Sequence, residues 1–125
     1  MANNYKQPGE TLTWTNATGA AVASGDVVVL GATSNATLGV AMVDIPNGEI
    51  GEVCINGVFE VPKVAAAVFA QGESLVFDAS EGAFNNNASV PAAGDVSGSV
   101  IAARAGASGE TTTWAKFLGI PGALA

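Results

Sequence analysis

Few side chains in this sequence could carry chemistry, and those that could are mostly carboxylates. Asp44, Glu49 and Glu52 cluster around Pro46-Asn47-Gly48. Carboxylates so close offer oxygen ligands for calcium, or the acid and base of a glycoside hydrolase. Solvated charges at turns account for the same residues without either activity. The chain has no histidine and one cysteine, so neither a Ser-His nor a Cys-His nucleophile can be assembled, and no His/Cys zinc set exists. Gly106-Ala107-Ser108-Gly109-Glu110-Thr111 has the outline of the end of a phosphate loop. Glu110 stands where such a loop needs lysine and would repel phosphate. Lys63, after Val61-Pro62, has the position of a modified carrier lysine, but nothing around it resembles a carrier's exposed hairpin. Cys54 has no intrachain partner and reads as a small strand or core residue. The expectation is a protein that is not an enzyme and takes no metal and no cofactor.

The composition points to contact with other protein. The 125 residues are 49% apolar but only 12% charged, about half the usual share of charge. So few charges leave weakly polar surface that self-association or docking would cover. The formal charge of −7, with only Lys6, Lys63, Arg104 and Lys116 basic, opposes a nucleic-acid partner, because phosphate binding relies on clustered Lys and Arg. No run approaches a membrane span and no basic-then-apolar leader opens the chain, so no membrane partner is expected. Asn16-Ala17-Thr18, Asn35-Ala36-Thr37 and Asn87-Ala88-Ser89 match the glycosylation pattern through an Asn/Thr-rich composition.

The elements that must position these residues are strands. In Gly48–Lys63, Val53, Ile55, Phe59 and Val61 share one parity, with Glu52, Asn56 and Glu60 on the other beside Cys54 and Val58. That is the alternation of a half-buried strand. Asn56-Gly57 also fits a tight hairpin turn, which would set Val53 against Glu60. A continuous strand keeps the apolar row intact, so Gly57 is read as a bend or bulge. Further strands are predicted at Val27–Leu30, Leu38–Val43, Glu73–Asp78, Val100–Ala103 and Thr111–Leu118, with Leu12 and Trp14 opening the first element. Lys63–Gln71 is alanine-rich, ends at Gly72 and is predicted as the one short helix, with Val64, Val68 and Phe69 on its buried side. Glu81–Gly98 reads as a long loop with room for a short strand, and the Gly119–Ala125 tail as irregular.

This gives an all-β fold, a compact small β-barrel or strongly curved sandwich with one short helix. Residues 1–13 form an extended N-terminal arm and residues 14–125 a single β domain. An internal echo supports strand pairs duplicated around one core: Ala23-Ser24-Gly25-Asp26 before Val27–Leu30 parallels Ala70-Gln71-Gly72-Glu73 before Ser74–Phe77. Gly39–Met42 with Gly48-Glu49 likewise parallels Gly98–Ile101 with Gly109-Glu110.

Gln7-Pro8-Gly9, Gly25-Asp26-Val27-Val28, Leu38-Gly39-Val40-Ala41, Gly57-Val58-Phe59-Glu60-Val61-Pro62-Lys63 and Ala70-Gln71-Gly72-Glu73 occur in one order. That order resembles the small capsid cement, or head decoration, proteins of tailed phages. The likeness covers roughly residues 7 to 117, with Gly57–Lys63 its most specific part. A longer Asn-rich loop and a different closing strand depart from the family pattern. The resemblance implies a structural virion protein, made in the bacterial cytoplasm, that binds the major capsid protein on the outer surface of the head and braces it. It implies self-association, a homotrimer first and a dimer second. Candidate interface residues are Tyr5, Lys6, Pro8 and Leu12 in the arm, then Trp14 and Trp114, with core packing the competing role for Trp114. Two rival readings are a bacterial surface or adhesin-like module presenting the Asn-rich loop, and a carbohydrate-active domain using Glu49 and Glu52.

Overall fold

The structure is a computed structural model that describes residues 10–125. Ten strands carry the described chain: β1 (Thr11–Thr15), β2 (Val27–Leu30), β3 (Asn35–Ala41), β4 (Ile50–Cys54), β5 (Asn56–Pro62), β6 (Ser74–Asp78), β7 (Ala83–Asn85), β8 (Val96–Ala102), β9 (Thr112–Leu118) and β10 (Gly122–Leu124). All named pairings are antiparallel, and the strands form one sheet curled into a half-barrel. Its path runs β1-β4-β3-β10-β8-β6-β7, with β2 on β3, and β5 attached through β9 to β8.

The pairings repeat. β1–β4, β2–β3 and β3–β4 in the first half correspond to β5–β9, β6–β8 and β8–β9 in the second. The isolated bridge Val22–Ile45 corresponds to Phe69–Gly106. The duplication heard in the sequence is therefore a duplication of hydrogen-bonded units. Two apolar clusters lie within the curled sheet, and β3 contributes Ala36, Leu38 and Val40 to the larger. One is built from Val28, Ala41, Ile45, Val53 and Ile55, with Leu12 and Trp14 packed against it. The larger one centres on Leu75, Phe77, Phe84, Val100 and Phe117, with Val27 and Val29 of β2 closing it from the other half.

The glycine-acid echoes fold as one kind of turn, used five times. At 23–26, 46–49, 70–73, 92–95 and 107–110 the fourth residue donates its N–H to the first carbonyl, at 3.0 to 3.3 Å. The third residue is glycine with φ between 85° and 95°, the type II position that disfavours a side chain. The carboxylates of Asp26, Glu73, Asp95 and Glu110 each accept the N–H of the turn's first residue. Glu49 is the exception for a simple reason: its turn begins with Pro46, which has no N–H. Asp78 does similar work after β6, accepting from the Ser80 hydroxyl at 2.7 Å and from the Ser80 and Glu81 N–H groups. The Ser80 hydroxyl is the main cause holding its carboxyl below the usual value of 3.8, against an opposing desolvation effect. With a lowered pKa, its contribution is present at neutral pH and is lost as pH falls through the folded value.

Three expectations need correction. The stretch Gly48–Lys63 is neither one strand nor a hairpin: β4 ends at Cys54, β5 begins at Asn56, and the two halves join different partners, β1 and β3 against β9. The bend lies at Ile55, with Gly57 at φ 134° just after it. Parity survives within β5, where Val61 is buried while Val58 and Glu60 are exposed. Second, Lys63–Gln71 is not a helix. Its carbonyls and N–H groups are taken by distant partners: Val64 N–H by Phe84, and Phe69 by Gly106 in both directions. A two-turn helix is too marginal to compete with those bonds. Val68, assigned to a buried face, is exposed. Third, the tail is regular: β10 lies between β3 and β8.

Lys63 organises the loop that replaces the helix. It is 4% exposed, and its Nζ donates to the carbonyls of Val64, Ala65 and Glu110 at 3.0, 3.2 and 3.3 Å. Asn16 stands at the matching position after β1, also buried, and donates to the carbonyls of Ala20 and Ile45. Lys63→Met keeps the stem but removes the donors, so it should cost about 2–3 kcal/mol in urea unfolding, because three charge-assisted hydrogen bonds are lost from a buried site.

Candidate functional site

The exposed surface, rather than a cleft with converging groups, carries the candidate residues. Two of the three carboxylates considered for catalysis are spent locally. Asp44 accepts the Ser24 N–H at 2.8 Å, and Glu52 accepts the Thr13 hydroxyl at 2.9 Å. Among the described residues no group of three or more His, Cys, Asp or Glu is placed to hold a metal ion. Cys54 is buried and reduced, its thiol donating to the Asn56 carbonyl.

Tyr5, Lys6 and Pro8 lie outside the described residues. Leu12 and Trp14 sit on the inward parity of β1, both half-buried against the smaller cluster. Thr11–Thr13, counted in the sequence with the arm, pair with Cys54, Val53 and Glu52, so the ladder starts at Thr11. Clefts of about 420 and 360 Å³ flank Trp14, the larger lined also by Val22, Val27 and Val29, the smaller by Thr18 and Gly31.

Trp114 lies elsewhere. Thr113, Ala115 and Phe117 of β9 point into the core, which sends Trp114 and Lys116 outward. Trp114 is 47% exposed, so the core-packing role is overturned. Arg104 lies over its ring, 5.0 Å from the centroid, an arrangement that holds a cation and an aromatic face together at the surface. Val58, exposed at 54%, and Glu60 lie on the same face, Glu60 directly opposite Trp114 and Val58 opposite Lys116. The two tryptophans are therefore on different halves and form two separate surfaces. The sequence places Val58 on the outward parity with Glu60, as the structure does, but does not mark it as an interface candidate. It also missed the exposed apolar Met42, Val43 and Ile50.

A single curled sheet with hydrogen-bonded turns defines an all-β protein that presents aromatic and aliphatic groups at its surface. The sequence profile of the phage cement proteins matches residues 6–116, and the chain belongs to that family. It is a structural component of the phage capsid. No curated protein and no solved structure matches the chain significantly.

Proposed function

We propose that this protein docks on the outside of the assembled head, against the major capsid protein, and stabilises the shell without catalysis. The match to the cement family over residues 6–116 carries this reading. The acidic charge of −7 supports a position away from DNA, and the Trp114–Arg104–Val58 face supports protein contact. Many copies on a symmetric lattice bind more firmly together than singly, through effective concentration. A homotrimer, with a dimer second, is the assembly proposed, since closed cyclic symmetry repeats one contact.

The segment before β1, with Tyr5, Lys6 and Pro8, is assigned to the shell contact, together with Leu12 and Trp14 at its root. Because Thr11–Thr13 belong to β1, the informative deletion is residues 2–9. Cosedimentation with heads lacking this protein should fall by about a hundredfold in affinity, a loss of roughly 3 kcal/mol, with the urea midpoint unchanged. Undiminished binding by the deletion variant overturns the role of the arm, and failure of the intact protein to sediment with heads overturns the function itself.

A further inference from the structure

Two rows of side chains occupy equivalent places in the two halves of the sheet and carry opposite chemistry. In the second half the Ala103 N–H bonds to the Trp114 carbonyl, and Trp114 faces Glu60 across the ladder. In the first half the Met42 N–H bonds to the Glu52 carbonyl, and Glu52 faces Thr13. Around Trp114 the outward groups are Arg104, Lys116, Val58 and Glu60, two cations against one carboxylate. Among the described residues Lys63 is buried, so Arg104 and Lys116 supply all the basic charge at the surface. The Nε of Arg104 is covered and has no hydrogen-bond partner among those residues. Around Glu52 the exposed groups are Met42 and Ile50, with Asp44 and Glu49 at the adjoining turn. From Glu10 to Pro62 the chain carries no Lys or Arg to balance them.

One face is thus aromatic with excess cation, and its counterpart is aliphatic with carboxylate only. Aromatic and Arg side chains form the centres of protein contacts, and complementary charge fixes their register. A two-fold contact would bring the cations of one face together, with only Glu60 to offset them, or the carboxylates of the other with nothing to offset them. We infer that the Trp114 face of one copy docks on the Glu52 face of the next, Trp114 lying on Ile50 and Met42 and the cations facing the carboxylates. The occupant is a second copy because this chain itself displays the complement. The inference rests on the self-association proposed above and names its two faces. Such a head-to-tail contact closes into a ring of three copies or more, not into a two-fold dimer. The charge of −7 on each copy opposes approach at long range, but at physiological salt the Debye length is about 8 Å and adjacent charges dominate.

Sedimentation velocity on the full chain and two exposed-site variants tests it. Trp114→Glu damages one face and Ile50→Lys the other, and each should weaken self-association about a hundredfold. A one-to-one mixture of the two variants should form pairs and nothing larger, since the intact Glu52 face of one meets the intact Trp114 face of the other. That recovery also shows that both variants are folded. A mixture that stays monomeric overturns the inference, as does normal assembly by either variant alone. Dimers of the unaltered protein lost in Trp114→Glu but kept in Ile50→Lys make the contact two-fold and overturn it too. Trp114→Glu that assembles normally but no longer cosediments with heads assigns that face to the capsid protein, again overturning it. Unaltered protein that stays monomeric removes the self-association reading together with this one, while its cosedimentation with heads decides the capsid role separately.

Discussion

Phe84→Ala should destabilise the protein by about 4 kcal/mol in urea unfolding, at the upper end for a single core truncation. The size follows from where the ring sits. Phe84 is fully buried, 5.2 Å from Phe77 and 6.1 Å from Phe117 in centroid separation, the latter edge to face. Phe117 in turn meets Phe59 edge to face at 5.7 Å, so one truncation opens a void in a chain of four rings. The ring is also supplied by a strand of only three residues, which has little else to hold it. Losing the anchor should release the Lys63–Phe84 bridge and let exchange rise in β5 and β7 before the rest of the sheet. Phe84→Leu, which fills most of the volume, should cost about 1–1.5 kcal/mol. Equal costs for the two variants would show that volume at this position does not matter.

Gly122→Val is the second large effect, expected at about 3–4 kcal/mol by the same measurement. At Gly122 a Cβ would collide with the Ser97 carbonyl and lie 2.8 Å from the Ser99 nitrogen. Both are backbone atoms of β8, which cannot step aside as a flexible side chain would. The contact forms because β8 bulges here: Leu75 pairs with Val100 but Val76 with Ser97, leaving Gly98 and Ser99 between. Ser99 uses the bulge to accept the Leu38 N–H at 3.1 Å and donate to the Ile120 carbonyl at 2.9 Å, both ends of the β10 connection. Expelling β10 would carry the Ile120 carbonyl away from the buried Ser99 hydroxyl, leaving that donor without its acceptor. Amides of Ala123 and Leu124 should then exchange as in an open tail. Retained protection there would contradict the steric argument.

How far the sequence reveals this molecule depends on how local each determinant is. Val27–Leu30 was legible to the residue because β-branched side chains and flanking glycines decide it nearby. Glu73–Asp78 and Thr111–Leu118 were legible to within one residue for the same reason. Residues 63–71 misled because alanine content speaks only for local preference, while Lys63 and Phe69 bond to Glu110 and Gly106 across the chain. The tail misled similarly: Gly122–Leu124 is a strand because the starts of β3 and β8 both leave edges free beside it. Of the candidate surface, the residue types were readable and the orientation only partly so. Trp114 shares its parity with Lys116 and opposes Phe117, a sign that it faces outward. Trp14 shares its parity with Leu12 and points inward, which its position next to the arm concealed.

The central position of β10 also sets an order of events during synthesis. A ribosome makes Gly122–Leu124 after β1 to β9, yet this strand lies between β3 and β8 in the middle of the sheet path. Each half can gather its own strands as they emerge, but the seam between them waits for the last-made strand. Completion of the sheet therefore follows synthesis of the nine other strands in it. Because its ladders join residues far apart in the chain, folding belongs to the slow, millisecond-to-second regime of β proteins.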